Sequence, residues 1–258
     1  MVRPRLAIRV FTEDMGSDAH DTIAEITRKL LFLLEPRLDR HRVEFPPDDP
    51  NHPDSRSVRV AMGSNAYKSR APRDHKRRVD LARAIASHLL TEDVLTAVIV
   101  HVDADRRWRD RDDEHGCENL RSFREVILPL VAHTLSSRQR LDRLCRLILL
   151  VPFRSIESWL FTNCREALAI CEETHPRNAS AVQHFIAWQT APEALEDGDK
   201  QPKDLVALGS RYNLRLARTL SARHLYELGR SFTHTVDAAR LSAVADMLPA
   251  LCHGTASA

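Results

Sequence analysis

Hydrophobic positions in this chain fall into two kinds of block: short unbroken apolar runs, and longer stretches in which apolar residues return every third or fourth position. The clearest run, Leu95 to Asp105 (LTAVIVHVDAD), is rich in β-branched residues and stops abruptly at Asp103-Ala104-Asp105. A run without alternation is what a strand buried on both faces requires, the usual condition in a parallel sheet. Arg146 to Phe153 (RLILLVPF) is a second such run, and Arg5 to Phe11 (RLAIRVF) is a plausible first strand. Helical spacing lies between them. Ala19 to Leu34 carries Ile23, Ile26, Leu30, Leu33 and Leu34, with Ser17 or Asp18 placed to cap it. Arg77 to Leu90 carries Val79, Leu81, Ile85, Ala86 and Leu89, and Asn119 to Leu135 carries Phe123, Val126, Ile127 and Leu130. A helix joining two parallel strands forms a right-handed crossover. The fold class predicted is α/β, with a mostly parallel central sheet flanked by helices.

Elsewhere the pattern is looser. Val43 to Ser69 begins rich in Pro and Asp (EFPPDDPNHPD), which predicts an irregular connection, followed by a short strand over Ser57 to Met62. A helix is expected to start at Ser155. From Glu166 onward the helical patterns shorten, to Asp204–Ser210, Asn213–Leu220 and Val236–Leu251, with Pro192 and Pro202 between. This organisation predicts an α/β core over 1–165 and a C-terminal helical extension over 166–258 packed on it.

Composition changes this picture only at the margins. A chain of 258 residues, 43% hydrophobic, is long enough to bury one large α/β core. The net charge of +2 selects no partner by itself, and 5% aromatic content argues against broad base-stacking platforms. The five cysteines are odd in number and form no Cys-x-x-Cys pair, which disfavours a disulfide framework or a zinc ribbon. No apolar run reaches membrane-spanning length and the N-terminus lacks a secretory apolar region, so the expectation is a cytoplasmic protein with no membrane partner.

The candidate chemistry sits where the strands end. Open α/β sheets bind ligands at the carboxyl ends of their strands. In an extended segment residues i and i+2 point to the same side, so Asp103 and Asp105 would repel each other unless a cation lies between them. An acidic turn is the plainer reading, since Asp is a common turn residue. Glu13 and Asp14 follow the first strand. Glu157 falls in the first turn of the helix after Phe153, where the helix dipole favours an acid even without function. In a parallel sheet these three acidic strand ends converge on one edge, and that convergence points to a divalent metal, Mg²⁺ or Mn²⁺. Lys68, Arg70, Arg73, His75, Lys76, Arg77, Arg78 and Arg83 form a basic stretch around a helix start, a place cations do not prefer. It reads as a phosphate-binding patch or an ordinary charged surface. Trp108 anchors its loop or stacks on a base, Trp159 belongs in the core, and Lys203 is a basic residue to flag against the plain reading of a surface lysine.

Together these residues resemble the Toprim family, which includes topoisomerases, primases and the nuclease domains of the overcoming-lysogenization-defect family. A Toprim core is a compact α/β sheet with a glutamate after its first strand, matched by Glu13, and an Asp-x-Asp pair after a later one, matched by Asp103 and Asp105. The chain is more closely similar to an uncharacterised Toprim-like family of bacterial proteins. Its marks would be the acidic first loop, Ile156-Glu157-Ser158-Trp159-Leu160, Pro192-Glu193 with Pro202-Lys203, and Ser231-Phe232. One departure stands out: Toprim loops read Glu-Gly directly, whereas Glu13 is followed by Asp14, Met15, Gly16, Ser17 and Asp18, so either Glu13 or Asp14 fits, with Glu13 favoured.

The resemblance implies a metal-dependent nuclease or related phosphodiester-cleaving enzyme acting on DNA or RNA, in bacterial antiviral defence or genome maintenance. Asp103 and Asp105 would bind Mg²⁺ or Mn²⁺, Glu157 would complete the shell directly or through water, and Glu13 would bind metal or act as general base. Lys76, Arg77, Arg78 and Lys203 would hold the phosphate backbone. A partner protein such as an ATPase, and a homodimer, are compatible with it. The loosened first loop favours the alternative of a non-catalytic Toprim-like subunit of a larger complex. Sugar-nucleotide transferases and haloacid-dehalogenase-like phosphatases also use Asp-x-Asp, but the latter need a nucleophile pair after the first strand that is missing here.

Overall fold

Strands form where the two unbroken apolar runs and the RLAIRVF stretch lie. In the computed structural model, which describes residues 4–46, 58, 60–64, 66–92, 94–111, 116–174, 179–206 and 208–252, these are β1 (Leu6–Thr12), β3 (Leu95–His101) and β4 (Leu147–Leu150), joined by the two-residue β2 (Val43–Glu44). The four strands are parallel in the order β2-β1-β3-β4. The register sets Ile8 beside Ala97, Val10 beside Ile99 and Thr12 beside His101, so β1 and β3 end level with each other. All carboxyl ends therefore share one edge. β2 lies inside the stretch expected to be irregular; two residues are too few to leave a periodic signal.

The sheet is covered on both faces, as its unbroken apolar strands require. On one face Leu6, Ile8, Val10, Ala97, Ile99 and Ile148 pack against helix α1 (Ala19–Leu34) and helices of the C-terminal half. On the other, Phe11, Val98, Val100 and Val102 meet α2 (His75–Leu90) and α3, a continuous helix over 118–136. α3 widens into a π turn at Phe123–Ile127, just before Pro129, which has no N–H to donate to a helical ladder. α1 has the bounds its periodicity predicts, and Asp18 occupies its cap position, although no side-chain capping bond forms.

After β4 come α4 (Ile156–Leu160), α5 (Cys164–Thr174), α6 (Ala179–Thr190), α7 (Ala194–Asp197), α8 (Pro202–Leu205), α9 (Asn213–Thr219), α10 (Ala222–Leu228), α11 (Arg230–Arg240) and α12 (Ala243–Met247). Ala167, Ile170, Phe185, Leu216, Phe232 and Val236 belong to the same buried cluster as β1 and β3. α5 runs unbroken across residues 165 and 166.

Three local expectations are corrected. Val58 and 60–63 are helical rather than a strand; Ser57 and Arg59 lie outside the described residues, as do 47–56. The Val58, Val60, Met62 alternation suggested a strand, but burial follows helical spacing. Val58, Ala61 and Met62 are buried, Val60 is exposed, and Ser64 N–H donates to Val60 at 3.0 Å. Packing overrides β propensity here. The helix expected over 204–210 is instead α8, ending at Leu205, and a 3₁₀ turn at Ser210–Tyr212. The long helix expected over 236–251 is divided into α11, α12 and a 3₁₀ turn (Leu248–Leu251). α11 begins at Arg230, which puts Ser231-Phe232 in its first turn. Among the described residues no helix is long and apolar enough to cross a membrane.

Candidate functional site

The level ends of β1 and β3 bring Glu13 and Asp103 together. Glu13 N–H donates to the His101 carbonyl at 3.3 Å, continuing the ladder by one residue. Its side chain turns back across the edge, where Oε1 accepts from the Asp103 N–H and Oε2 accepts from the Tyr67 hydroxyl at 2.5 Å. β3 ends at His101, yet Val102 N–H and Ala104 N–H still donate to Leu150 and Pro152, at 3.1 and 2.9 Å. The segment therefore stays extended through Ala104. Asp105 then enters the left-handed region at φ 55°, a conformation Asp tolerates better than most residues. Asn119 on α3 secures this turn, donating to the Asp103 carbonyl at 2.5 Å and to Asp105 Oδ2 at 3.1 Å. Strand alternation alone thus does not pair the two aspartates; a left-handed turn held by Asn119 sets the second one.

The polar groups beneath Asp103 are buried. His101, fully buried, places Nδ1 2.9 Å from Thr12 Oγ1 and Nε2 3.2 Å from Asp103 Oδ1. That last pair is within ion-pair distance but lacks hydrogen-bond geometry, so neither buried atom has a hydrogen-bond partner. Burial pushes the Asp103 carboxyl up to about 6; His101 pulls it down, and the charges of Glu13 and Glu157 push it up again. Burial alone would lower the His101 pKa, but the adjacent Asp103 carboxylate, followed by the charges of Glu13 and Asp14, raises it overall. The Tyr67 phenol is pushed upward by burial and then by the charge of Glu13, so it stays a proton donor to that carboxylate.

A cation already stands at the mouth of this cluster. Lys68 Nζ lies 3.9 Å from Glu13 Oε2 and 3.7 Å from Asp105 Oδ2. Among the described residues no group of three or more His, Cys, Asp or Glu side chains is drawn into a metal cage. The donor chemistry nevertheless suits a hard divalent ion: carboxylate oxygens of Glu13 and Asp105 flank a place that accommodates a positive charge, and the Asp103 carboxylate next to Glu13 keeps a buried oxygen without a hydrogen bond.

The remaining predicted residues divide. Glu157, in the first turn of α4 and buried, accepts from Asn213 at 2.9 Å and acts on Asp103 through its charge. The Asp14 carboxylate accepts from Gly16 N–H at 3.0 Å and shapes the first loop. That loop rests on the 60–63 helical segment through Met15, whose sulfur would lie 2.1 Å from a Cβ at Gly63, so a side chain there would displace the exposed end of Met15. Lys76 is exposed and paired with Asp80 at 2.6 Å, while Arg77 reaches Asp74 at 3.3 Å. Arg78 is buried and donates to the Ser69 and Ala71 carbonyls, which braces the turn before α2 and leaves it unavailable to a phosphate. His88 near the end of α2 bonds the Ala7 carbonyl, so the start of α2 lies toward the carboxyl edge of the sheet. Lys203 is exposed on α8.

The more distant motifs meet behind the site. Trp159 is fully buried and donates through Nε1 to Ser231 Oγ at 2.7 Å, and its ring lies edge-on to Phe232 at 5.1 Å. Ser231 Oγ also accepts from Phe153 N–H at 3.3 Å and donates to buried Glu196. Trp108 anchors its loop, edge-on to Phe153 at 4.8 Å.

Sequence reasoning missed Tyr67, Lys68, His101, Asn119 and Asn213 as parts of the site. Lys68 stood in the basic stretch without being singled out. His101 carried a legible signal, a titratable residue inside an unbroken apolar run. Comparison with family models, with curated proteins and with solved structures finds no match to this chain.

Proposed function

We propose that this chain is a Mg²⁺- or Mn²⁺-dependent nuclease of Toprim-like type, cleaving phosphodiester bonds in nucleic acid. One observation carries the reading: Glu13 and Asp105 flank a positive charge at the carboxyl edge of two adjacent parallel strands, and Asp103, whose amide bonds Glu13, keeps a buried carboxylate oxygen that no hydrogen bond satisfies. Structural acids at strand ends find hydrogen-bond donors, and one left without is the kind of exception that marks function.

In this reading Glu13, Asp103 and Asp105 hold the ion. A bound divalent cation supplies activation of the attacking water and neutralises charge on the leaving oxygen. The chain's own residues fix the ligands. Tyr67 and the Asp103 amide hold both Glu13 oxygens, His101 stands beneath Asp103, and Asn119 locks Asp105. Glu157, tied to Asn213, deepens the negative potential at Asp103. Lys76 and Arg77 at the start of α2, with Lys203, contact backbone phosphates, which position a substrate without reading its sequence.

The test is cleavage of plasmid DNA, single-stranded DNA and RNA in Mg²⁺, Mn²⁺ or EDTA, with the Asp103→Ala/Asp105→Ala double variant alongside. Metal-dependent cutting that falls at least a thousandfold in the variant is expected; no cutting under any condition overturns the nuclease reading. The open ligand cluster, with Lys68 at its mouth, favours one second reading: a non-catalytic subunit. It is distinguished by nucleic-acid binding that persists in EDTA without cleavage.

A further inference from the structure

Lys68 stands where a divalent ion would bring Glu13 and Asp105 together. Its ammonium bridges the two carboxylates at 3.9 and 3.7 Å, distances of ion pairing rather than close hydrogen bonding. Its side chain is 24% exposed, so it reaches the cluster from the solvent side. The residue before it, Tyr67, donates its hydroxyl to the same Glu13 oxygen at 2.5 Å, and the Lys68 ammonium lies 5.4 Å from the Tyr67 ring centroid. One residue thus clamps the carboxylate while its neighbour neutralises it.

We infer that Lys68 is a built-in counter-ion that holds the metal's place in the metal-free protein and must be displaced for a divalent cation to bind. The inference rests on the metal site proposed above and adds a competitor to it. Acids converging on one edge repel each other, and a single positive charge at the mouth keeps Glu13 and Asp105 together without locking them. Lysine suits exchange: it is a compact charge on a flexible four-carbon stem, without the planar fork that would grip a carboxylate in two places. A monovalent ammonium yields to a divalent ion, and the released ammonium then faces an incoming phosphate from the same solvent side.

A purely structural ion pair predicts the opposite sign. If Lys68 only organised the carboxylates, removing it would splay them and weaken metal binding. If it competes with the ion, removing it strengthens binding.

The experiment is calorimetric titration of the full chain with Mn²⁺, without nucleic acid, for the wild type, Lys68→Met, Lys68→Arg and, as a control for a charge lost elsewhere, Lys200→Met. Lys68→Met is expected to bind Mn²⁺ about tenfold more tightly, Lys68→Arg no more tightly than the wild type, and Lys200→Met unchanged. Melting curves verify folding, and Lys68→Gln gives the same reading should the methionine variant fail to fold. Wild-type binding that is equalled or weakened in the neutral Lys68 variants overturns the counter-ion role and leaves the metal site standing. Absence of Mn²⁺ binding in both wild type and neutral variants overturns the metal reading itself, and the counter-ion with it.

Discussion

Asp103 and Glu196 are both acids sunk behind the sheet's carboxyl edge, and burial pushes both upward in pKa. Their surroundings differ. Glu196, 2% exposed, accepts from Ser231 N–H at 3.2 and 3.3 Å and from the Ser231 hydroxyl, within a network that also takes in Trp159 and Phe153. Asp103 keeps one oxygen without a hydrogen bond and faces two other acids, one of which, Glu13, is held only loosely by the Lys68 ammonium. A buried acid whose hydrogen bonds are satisfied ties elements together; one that is left unsatisfied among like charges holds free energy in reserve for a ligand.

The contrast predicts opposite responses to removing a polar group. Ser231→Ala strips the hub of the satisfied network and leaves Trp159 Nε1, Phe153 N–H and Glu196 short of partners. A loss of about 3 kcal/mol is expected, a fall in Tm of roughly 6–12 °C. Thermal melts measure this, and cleavage per folded molecule should be unchanged. A Ser231→Ala protein as stable as the wild type would remove the distinction between the two regions.

Asp103→Asn should do the reverse. The Asp103 carboxyl titrates near 6 in the folded chain against 3.8 as the ordinary value, so between those pH values the folded chain holds more protons than the unfolded one. Stability from this group is therefore lost as pH rises through that window. His101 acts in the same direction from 6.5 upward, since its raised pKa contributes stability at low pH that is lost as pH rises through the folded value. The neutral amide removes the Asp103 part, with an expected gain of about 1–2 kcal/mol at pH 7, a rise in Tm of roughly 2–8 °C, and a flatter stability profile between pH 4 and 6. The same variant should lose metal-dependent cleavage. Destabilisation at pH 7 would show that the Asp103 charge serves the fold.

The smallest effect is expected at the rim. Lys76→Ala/Arg77→Ala should weaken nucleic-acid binding by about tenfold at low salt and reduce the slope of log K against log salt by about 1 to 2. Arg78→Ala should instead lower Tm, because Arg78 holds the turn before α2. Equal loss of binding with all three residues would show that the basic run acts as one patch.

Much of this was legible in the residues. Unbroken apolar runs located β3 and β4, the RLAIRVF stretch located β1, and helical spacing gave α1 its full extent. The acids after β1 and β3 could be placed on one edge because parallel strands end together. Less legible were the partners that come from elsewhere in the chain. Ser231-Phe232 stood out in the sequence, but its bond to Trp159 spans 72 positions. The stretch around Val58, Val60 and Met62 misled because Val and Met alternate by chance where burial is set by what the helical residues pack against.

The sequence by itself determined the α/β class and the position of Glu13 and Asp103 just beyond apolar strands, because periodicity is a local property that each segment carries alone. Tertiary structure alone decided that Asn119 turns Asp105 into place, that Arg78 braces a turn while Lys76 and Arg77 face solvent, and that Lys68 rather than a neighbouring basic residue sits between the carboxylates. The physical reason is one of range. A side chain's periodic position fixes its face within its own element, but a charge a few ångströms from another is a property of two elements and of the burial that brings them together.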